Sequence, residues 1–436
     1  MTAFEQFDPF EQRITAAIDE IAAARRPDYL DDVFHQTRRT SQRPRWSFVG
    51  RWLPFEALAT RTPSTRIPVR PLVLLLLALL LATAVGAAVV GSLNRRPPPF
   101  GVADNGVLGY PQGGDLYVRD SLTAEPRLLI GGPEVEQGPW FSPDGTRILF
   151  TRSTGTQEHL WTALADGSEQ RQILSNPLVG GNAVWAPDSL TIAVINETGG
   201  LPTLSVVDAE TGRTRQIDLG DVHPLGDLAF RPPDGSELVV RVALAGGGVD
   251  LLIVPLDGSA PRPLGLPSEL LDGQQWDNGG PAWSLDGQRI AYNRVEADPV
   301  TGIVHFRVHT VDADGTHDVA LPGPTDPSVH EAWPAWSPDG KWILVHRWTW
   351  KTQNGGQGWV AVLPTDGSAP ARDIGPRIPG GEDTGLIKTW SPDGTRVLVR
   401  AENTRQVFSV DPLTGETAQL TWTEELPDWQ RVTHWP

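Results

Sequence analysis

An all-β fold, a seven-bladed β-propeller behind one transmembrane helix, is what this sequence predicts, and three observations carry the prediction. One sequence unit recurs through the last three-quarters of the chain. Each copy joins an aromatic residue and a Pro-Asp-Gly turn to an apolar run. An uncharged apolar stretch, residues 71–93, lies ahead of the array.

The unit reads F-S-P-D-G-T-R-I-L-F from Phe141, W-A-P-D-S-L-T-I-A-V from Trp185 and F-R-P-P-D-G-S-E-L-V-V from Phe230. It returns from Trp283, Trp336 and Trp390, and a remnant, P-D-W-Q-R-V, begins at Pro427. The spacing between successive aromatics runs from 39 residues (Trp390 to Trp429) to 54 (Trp336 to Trp390). That length suits a four-stranded blade and is too long for a leucine-rich or hexapeptide solenoid. Proline fixes φ, aspartate caps its own backbone and glycine accepts positive φ, so each P-D-G is a turn between two strands. The aromatic and the Ile-Leu or Val-Leu pairs after the turn pack well on a pleated, buried face. A second hairpin per unit turns at Asp166-Gly167, Thr211-Gly212, Asp257-Gly258, Asp314-Gly315, Asp366-Gly367 and Thr414-Gly415.

We label the strands of a blade A (ending in the aromatic), B (the apolar run after P-D-G), C and D. B strands are expected to start near Gly106, Thr146, Thr191, Glu237, Arg289, Trp342 and Arg396. They number seven blades; six is the alternative if one weak unit is an insertion. The array opens on a B-like strand and closes on a lone A-like strand around Trp429. Since a closed ring leaves no sheet edge exposed, residues near 427–432 are expected to complete the blade begun by residues near 106–131.

The P-D-G repeats resemble those of TolB-type propellers, relatives of the WD repeats found in bacterial envelope proteins and peptidase propellers. The resemblance covers residues 101–436 and implies the fold. Propellers host hydrolases, lyases, receptors and scaffolds, so it selects no function by itself.

Residues 71–93 would span about 33 Å as a helix, enough to cross a hydrocarbon core of about 30 Å. The run is apolar on every face, which is unlike a buried core helix. A cleaved signal peptide is the minor alternative, with Ala82-Thr83-Ala84 imitating a cleavage site. Arg51, Arg61, Arg66 and Arg70 precede the run and only Arg95 and Arg96 follow it closely, which places the N-terminus inside. Residues 1–70 carry a net charge of +2, and the chain beyond Arg96 carries −21 of the total −17. The domains expected are therefore a cytoplasmic tail (1–70), a transmembrane helix (71–93), a Pro-rich linker (94–104) and an extracytoplasmic propeller (105–436).

In the tail, Phe10, Ile14, Ile18 and Ile21 recur at helical spacing behind Asp8 and Pro9. A second short helix would present Tyr29, Leu30, Val33 and Phe34. Seventy residues bury little surface alone, so the tail is expected to dock on a partner or on the membrane. Residues 38–54, rich in Arg and holding Trp46 and Trp52, read as an interfacial anchor. The layout of helical tail, single span and outer domain, with the P-D-Y-L-D-D-V-F stretch from Pro27, resembles transmembrane anti-sigma factors and implies a cytoplasmic sigma factor as partner. His35 has no cysteine companions, so that docking would be metal-free, by apolar helix faces.

The chain has no cysteine, which excludes disulfides, thiolate catalysis and Fe–S clusters. It also lacks a G-x-S-x-G elbow, a P-loop, a dinucleotide fingerprint and an H-E-x-x-H site. No catalytic residue and no cofactor is expected. His305 and His309 share a strand face near Asp312 and Asp314, either as a metal pair or as surface histidines of a hairpin. The strong negative charge of the outer domain disfavours nucleic acid. Segments entering the A strands should meet at one mouth of the ring. They carry Glu134, Glu136, His223, Asp227, Trp276, Asp277, Asn278, His330, Glu331, Glu382 and Asp383, a candidate site for a cation, a basic peptide or an amine. The alternative is that they are turn and cap residues on solvated loops. Trp276, Trp333, Trp348, Trp350 and Trp359 concentrate in the fourth to sixth units, either as blade packing or as exposed stacking faces, with Trp276 the one expected to be exposed.

Overall fold

The computed structural model describes residues 100–155, 157–175, 178–244, 247–267, 279–297, 304–350, 355–366, 369–380 and 385–433. The tail residues Phe10 to Phe34, the span 71–93, and Trp276, Asp277, Asn278, Glu382 and Asp383 lie outside them. Among the described residues no helix is long and apolar enough to cross a membrane.

Blade 1 contains β1 (Asp104–Gln112), β2 (Asp115–Arg119) and β3 (Arg127–Ile130). Blade 2 is β4 (Val135–Phe141), β5 (Arg147–Thr154), β6 (Gln157–Leu164) and β7 (Arg171–Leu174). Blade 3 is β8 (Leu178–Trp185), β9 (Thr191–Thr198), β10 (Leu201–Asp208) and β11 (Thr214–Ile217). Blade 4 is β12 (His223–Phe230), β13 (Glu237–Ala243), β14 (Val249–Pro255) and β15 (Arg262–Pro263). Blade 5 is β16 (Gly279–Trp283), β17 (Arg289–Ala297), β18 (Val304–Asp312) and β19 (Val319–Ala320). Blade 6 is β20 (Val329–Trp336), β21 (Trp342–Thr349), β22 (Gln357–Pro364) and β23 (Arg372–Pro379). Blade 7 is β24 (Leu386–Trp390), β25 (Val397–Ala401), β26 (Val407–Val410) and β27 (Thr417–Gln419). The last strand, β28 (Asp428–Val432), pairs antiparallel with β1, Trp429 opposite Leu108, and makes blade 1 four-stranded.

Seven sheets of four antiparallel strands therefore exclude the six-bladed alternative, and the closure joins the two segments the sequence marked out. The expected B-strand starts fall within two residues of the observed ones, for example Gly106 against Asp104 and Arg396 against Val397.

In blades 2, 5, 6 and 7 the turn after the aromatic is built by the same side chains. Ser142 Oγ donates to Asp144 Oδ1 (2.7 Å), which accepts the Thr146 amide (3.0 Å), while the Arg147 amide donates to Ser142 Oγ (3.0 Å). Ser284–Asp286, Ser337–Asp339 and Ser391–Asp393 repeat the contact at 2.6 Å each. Gly145 sits at φ +70°, and a Cβ there would stand 2.0 Å from the Arg431 carbonyl oxygen of blade 1. The turn glycine thus serves both the local conformation and the seating of one blade on the next.

Blades are joined by their aromatics. Trp185 Nε1 donates to the Trp140 carbonyl of the preceding blade (3.1 Å), Trp283 to Ala229 (3.2 Å), Trp336 to Ala282 (3.0 Å) and Trp390 to Ala335 (3.2 Å). The acceptor is each time the residue just before the preceding blade's own aromatic. At Phe141 the ring has no N–H, and its backbone amide donates instead to Asp428 Oδ2 (2.7 Å) at the ring closure. Between the blades lie apolar clusters such as Val239, Leu251, Ile253, Trp283, Ile290 and Tyr292.

Replacing Trp336 by Phe should cost about 1 kcal/mol, the net worth of one hydrogen bond, and replacing it by Ala about 3–5 kcal/mol through the cavity left behind. Gly145→Ala should destabilise beyond the roughly 1–2 kcal/mol of a left-handed backbone alone, because the Arg431 carbonyl must also move. Urea denaturation followed by tryptophan fluorescence checks all three.

Candidate functional site

The A strands line the centre of the ring. Val184, Asp227, Gly280, Trp333 and Lys388, from the first strands of blades 3 to 7, border one channel cavity of about 260 Å³. A larger cavity of about 930 Å³ opens where blades 7, 1 and 2 meet; Glu136, Trp140, Ile387, Arg400 and Asp428 border it.

Most of the predicted carboxylates that the structure describes are counter-charged. Glu136 is buried and accepts from Arg152 Nε (2.9 Å). Asp227 accepts from Arg241 Nη1 (2.6 Å). Glu331, fully buried, accepts from Arg347 Nε (2.7 Å), and Arg347 Nη1 also donates to Asp373 (2.7 Å). The pattern continues where no mouth carboxylate was singled out, with Arg294 on Asp318 (3.0 Å) and Arg400 on Glu425 (3.0 Å). All five arginines lie in B strands, six or seven residues after the turn glycine, or its equivalent. Sequence reasoning passed over them, although a charged residue inside an otherwise apolar run was the available signal. Of the predicted mouth acids among the described residues, Glu136, Asp227 and Glu331 are therefore ion-paired. Glu134 is half-buried beside β4, and His223 is exposed at the start of β12.

Burial raises the Glu136 and Glu331 carboxyls above their usual range, with Arg152 and Arg347 opposing the shift. A charged group left behind in such a pair has no water to turn to. Burial likewise pushes Asp428 up to about 7, against the hydrogen bonds from the Phe141 and Trp429 amides.

Blade 6 and its neighbour carry an aromatic cluster. His330 stacks on Trp348 (centroids 5.4 Å) and meets Trp350 edge-on (4.9 Å). His346 lies parallel to Trp333 (5.5 Å, 14°) and next to Trp348 (5.1 Å). Trp348 and Trp359 are buried packing residues, whereas Trp333 and Trp350 remain 39% and 42% exposed. Both readings of the tryptophans thus hold, at different positions; Trp276 is not among the described residues. Burial lowers His330 to about 4 and His346 to about 3, so both rings are neutral near pH 7.

Trp333 also has an unusual backbone. Its φ is +52°, at the irregular point of the A strand where blades 2 and 5 place Gly138 and Gly280, also at positive φ. A bulky residue in that region is strained. Trp333 and Lys388 both border the channel cavity.

His305 and His309 are buried, which corrects their reading as surface histidines of a hairpin. His309 bridges Glu296 (2.8 Å) and Asp318 (3.0 Å) within blade 5. Among the described residues no three His, Cys, Asp or Glu side chains are grouped to hold a metal ion.

With this geometry in hand, similarity to known proteins can be placed. No family model matches the chain. A stretch of 86 residues is 31% identical to the Tol-Pal system protein TolB of Anaeromyxobacter dehalogenans, covering 17% of this chain and 20% of that protein. Over that stretch the chain is TolB-like. The match spans about a fifth of the length of the curated relatives. Among solved structures, the oligogalacturonate lyase of Vibrio parahaemolyticus is similar at a TM-score of 0.52, with 11% identity over 73% of this chain and 84% of that one. TolB of Acinetobacter baumannii gives a TM-score of 0.43, with 19% identity over 68% of each chain. At such identities the structural likeness shows the fold alone, and the lyase's chemistry does not transfer with it.

Arg347→Met should destabilise the TolB-like propeller by about 3–5 kcal/mol, because Glu331 stays buried without its counter-charge. The double variant with Glu331→Gln should recover much of that, as a thermal denaturation cycle can measure. For Asp428 the folded-state carboxyl titrates higher than the unfolded one. Its contribution to stability is therefore complete below about pH 4 and is lost as pH rises through about 7. Asp428→Asn should flatten the fall in urea midpoint between pH 5 and pH 8.

Proposed function

We propose that this is a single-pass membrane protein for binding and signalling, with the TolB-like propeller outside the cytoplasm and the tail inside. The propeller engages a protein partner or ligand of the envelope through its channel mouth. The observation that carries this reading is the pair Trp333, which borders the channel cavity, and Trp350, both exposed and packed on neutral, buried histidines. Exposed, rigid tryptophans flanked by desolvated ion pairs are the composition of a binding hot spot. The apolar run 71–93 and the arginine asymmetry around it support the topology, and the identity with a Tol-Pal system protein supports the envelope. The tail would dock a cytoplasmic regulator, such as a sigma factor, through Phe10, Ile14, Ile18 and Ile21 and through Tyr29, Leu30, Val33 and Phe34.

A membrane-tethered scaffold for envelope assembly, with the tail as an inert anchor, is the second reading, favoured by the same local identity with TolB. The proposed role is non-enzymatic. A test of the whole proposal places a photo-crosslinking amino acid at Trp350 and, separately, at Ile18 in the full-length protein in cells. Distinct protein adducts at the two positions are expected, and Trp333→Ala should weaken capture at the mouth at least tenfold. A protein adduct at Trp350 with only lipid at Ile18 would favour the scaffold. Lipid or nothing at both positions would sink both readings.

A further inference from the structure

Lysine is scarce in this chain, occurring only at Lys341, Lys351 and Lys388. Lys341 is 77% exposed beside Asp339. Lys388 is placed quite differently. It lies in β24, half-buried, and borders the channel cavity with Trp333, Asp227 and Gly280. Its amine donates to the Trp333 main-chain carbonyl, a neutral acceptor.

The charged groups around it are committed elsewhere. Asp227, on the opposite side of the cavity, pairs with Arg241. Arg400, on the adjacent strand, pairs with Glu425 and donates to the Glu424 carbonyl. His346 lies under the Trp333 ring, and neither of its ring nitrogens has a hydrogen-bond partner among the described residues. From β16 the cavity receives only Gly280 and Pro281. No carboxylate among the described residues stabilises the ammonium form, and removal from water opposes it. The amine is accordingly pushed down to about 7, which leaves a large neutral fraction near physiological pH. An exposed lysine, near 10.4, has almost none.

The strained Trp333 adds the second element. It stands where blades 2 and 5 have a glycine, and this apolar residue borders the same cavity as the amine. We propose that the channel cavity is a covalent-reversible binding site for an aldehyde, with Lys388 as the nucleophile and Trp333 as the platform for the aldehyde's apolar body. The neutral amine adds to the carbonyl carbon, giving a carbinolamine. Loss of water then leaves an imine between Nζ and that carbon, and hydrolysis reverses both steps. No net oxidation or reduction takes place.

The test uses the purified full-length protein with benzaldehyde as probe and sodium cyanoborohydride to trap the imine as a benzyl-lysine. Peptide mass spectrometry then reads Lys388 against Lys341 and Lys351 in the same molecules. At pH 7 Lys388 should be labelled at least tenfold faster than Lys341. Its rate should saturate with benzaldehyde concentration, and its pH midpoint should lie near 7. Trp333→Gly relieves the backbone but loses the stacking on His346, so it should lower the thermal midpoint while keeping a cooperative unfolding transition. It should also raise the benzaldehyde concentration for half-saturation at least fivefold while sparing labelling by formaldehyde. Lys388 labelling no faster than Lys341, a midpoint near 10, or a rate linear in benzaldehyde would each overturn the proposal.

Discussion

An indole-to-carbonyl hydrogen bond, present at four of the seven blade seams, is the constraint on which the rest of the structure depends. It links Trp185 to Trp140, Trp283 to Ala229, Trp336 to Ala282 and Trp390 to Ala335, always at the end of the innermost strand. Because donor and acceptor occupy fixed places in the repeat, each link sets the position of one blade against the next. The serine–aspartate turn holds the aromatic's strand to its partner, and the turn glycine of one blade fits against the carbonyl of its neighbour, as Gly145 does against Arg431. Van der Waals packing of the intervening aliphatic clusters then supplies most of the stabilisation, but it is less directional than the indole bonds. Between blades 1 and 2 a carboxylate, Asp428, accepts from the Phe141 amide where no indole is present, and so brings a titratable group into the ring's seam.

The same geometry concentrates polar chemistry at the centre. B-strand arginines reach the A-strand acids Glu136, Asp227 and Glu331, so that these inward charges are paired in place. This arrangement contributes little net stability by itself, since desolvation offsets much of the attraction. It does fix the side chains that border the channel. Against that background Trp333, Trp350 and Lys388 are accessible: two exposed rings, as Trp140 also is, and an amine without a carboxylate among the described residues. They are the groups left free to interact with something else.

Much of the fold was legible because each blade repeats its local chemistry. The aromatics at 141, 185, 230, 283, 336 and 390 and the lone A-like strand at Trp429 gave blade number, strand starts and closure. The site was legible only in outline. Glu136, Asp227, His330 and Glu331 do fall on inner strands, yet their environment depends on partners 14 to 24 residues away, such as Arg241 for Asp227, Arg347 for Glu331 and Phe306 for His330. His309 looked solvent-facing because alternation alone cannot tell a strand's outer face from one covered by the next blade. Nothing in the sequence around Trp333 announces its left-handed backbone; that emerges from the register break between Ala332 and Ala335. Lys388 reads as an ordinary charged residue until five blades are seen to converge on it.

Native-state hydrogen exchange at the seam tests the closed, indole-linked ring most directly. Amides of β1 and β28 should exchange only through global unfolding, with the same protection free energy as those of β21 and β22 in blade 6. Protection at the seam several kcal/mol below that of blade 6 would mean that blade 1 opens on its own, and would contradict an account in which closure and blade linkage form one cooperative unit.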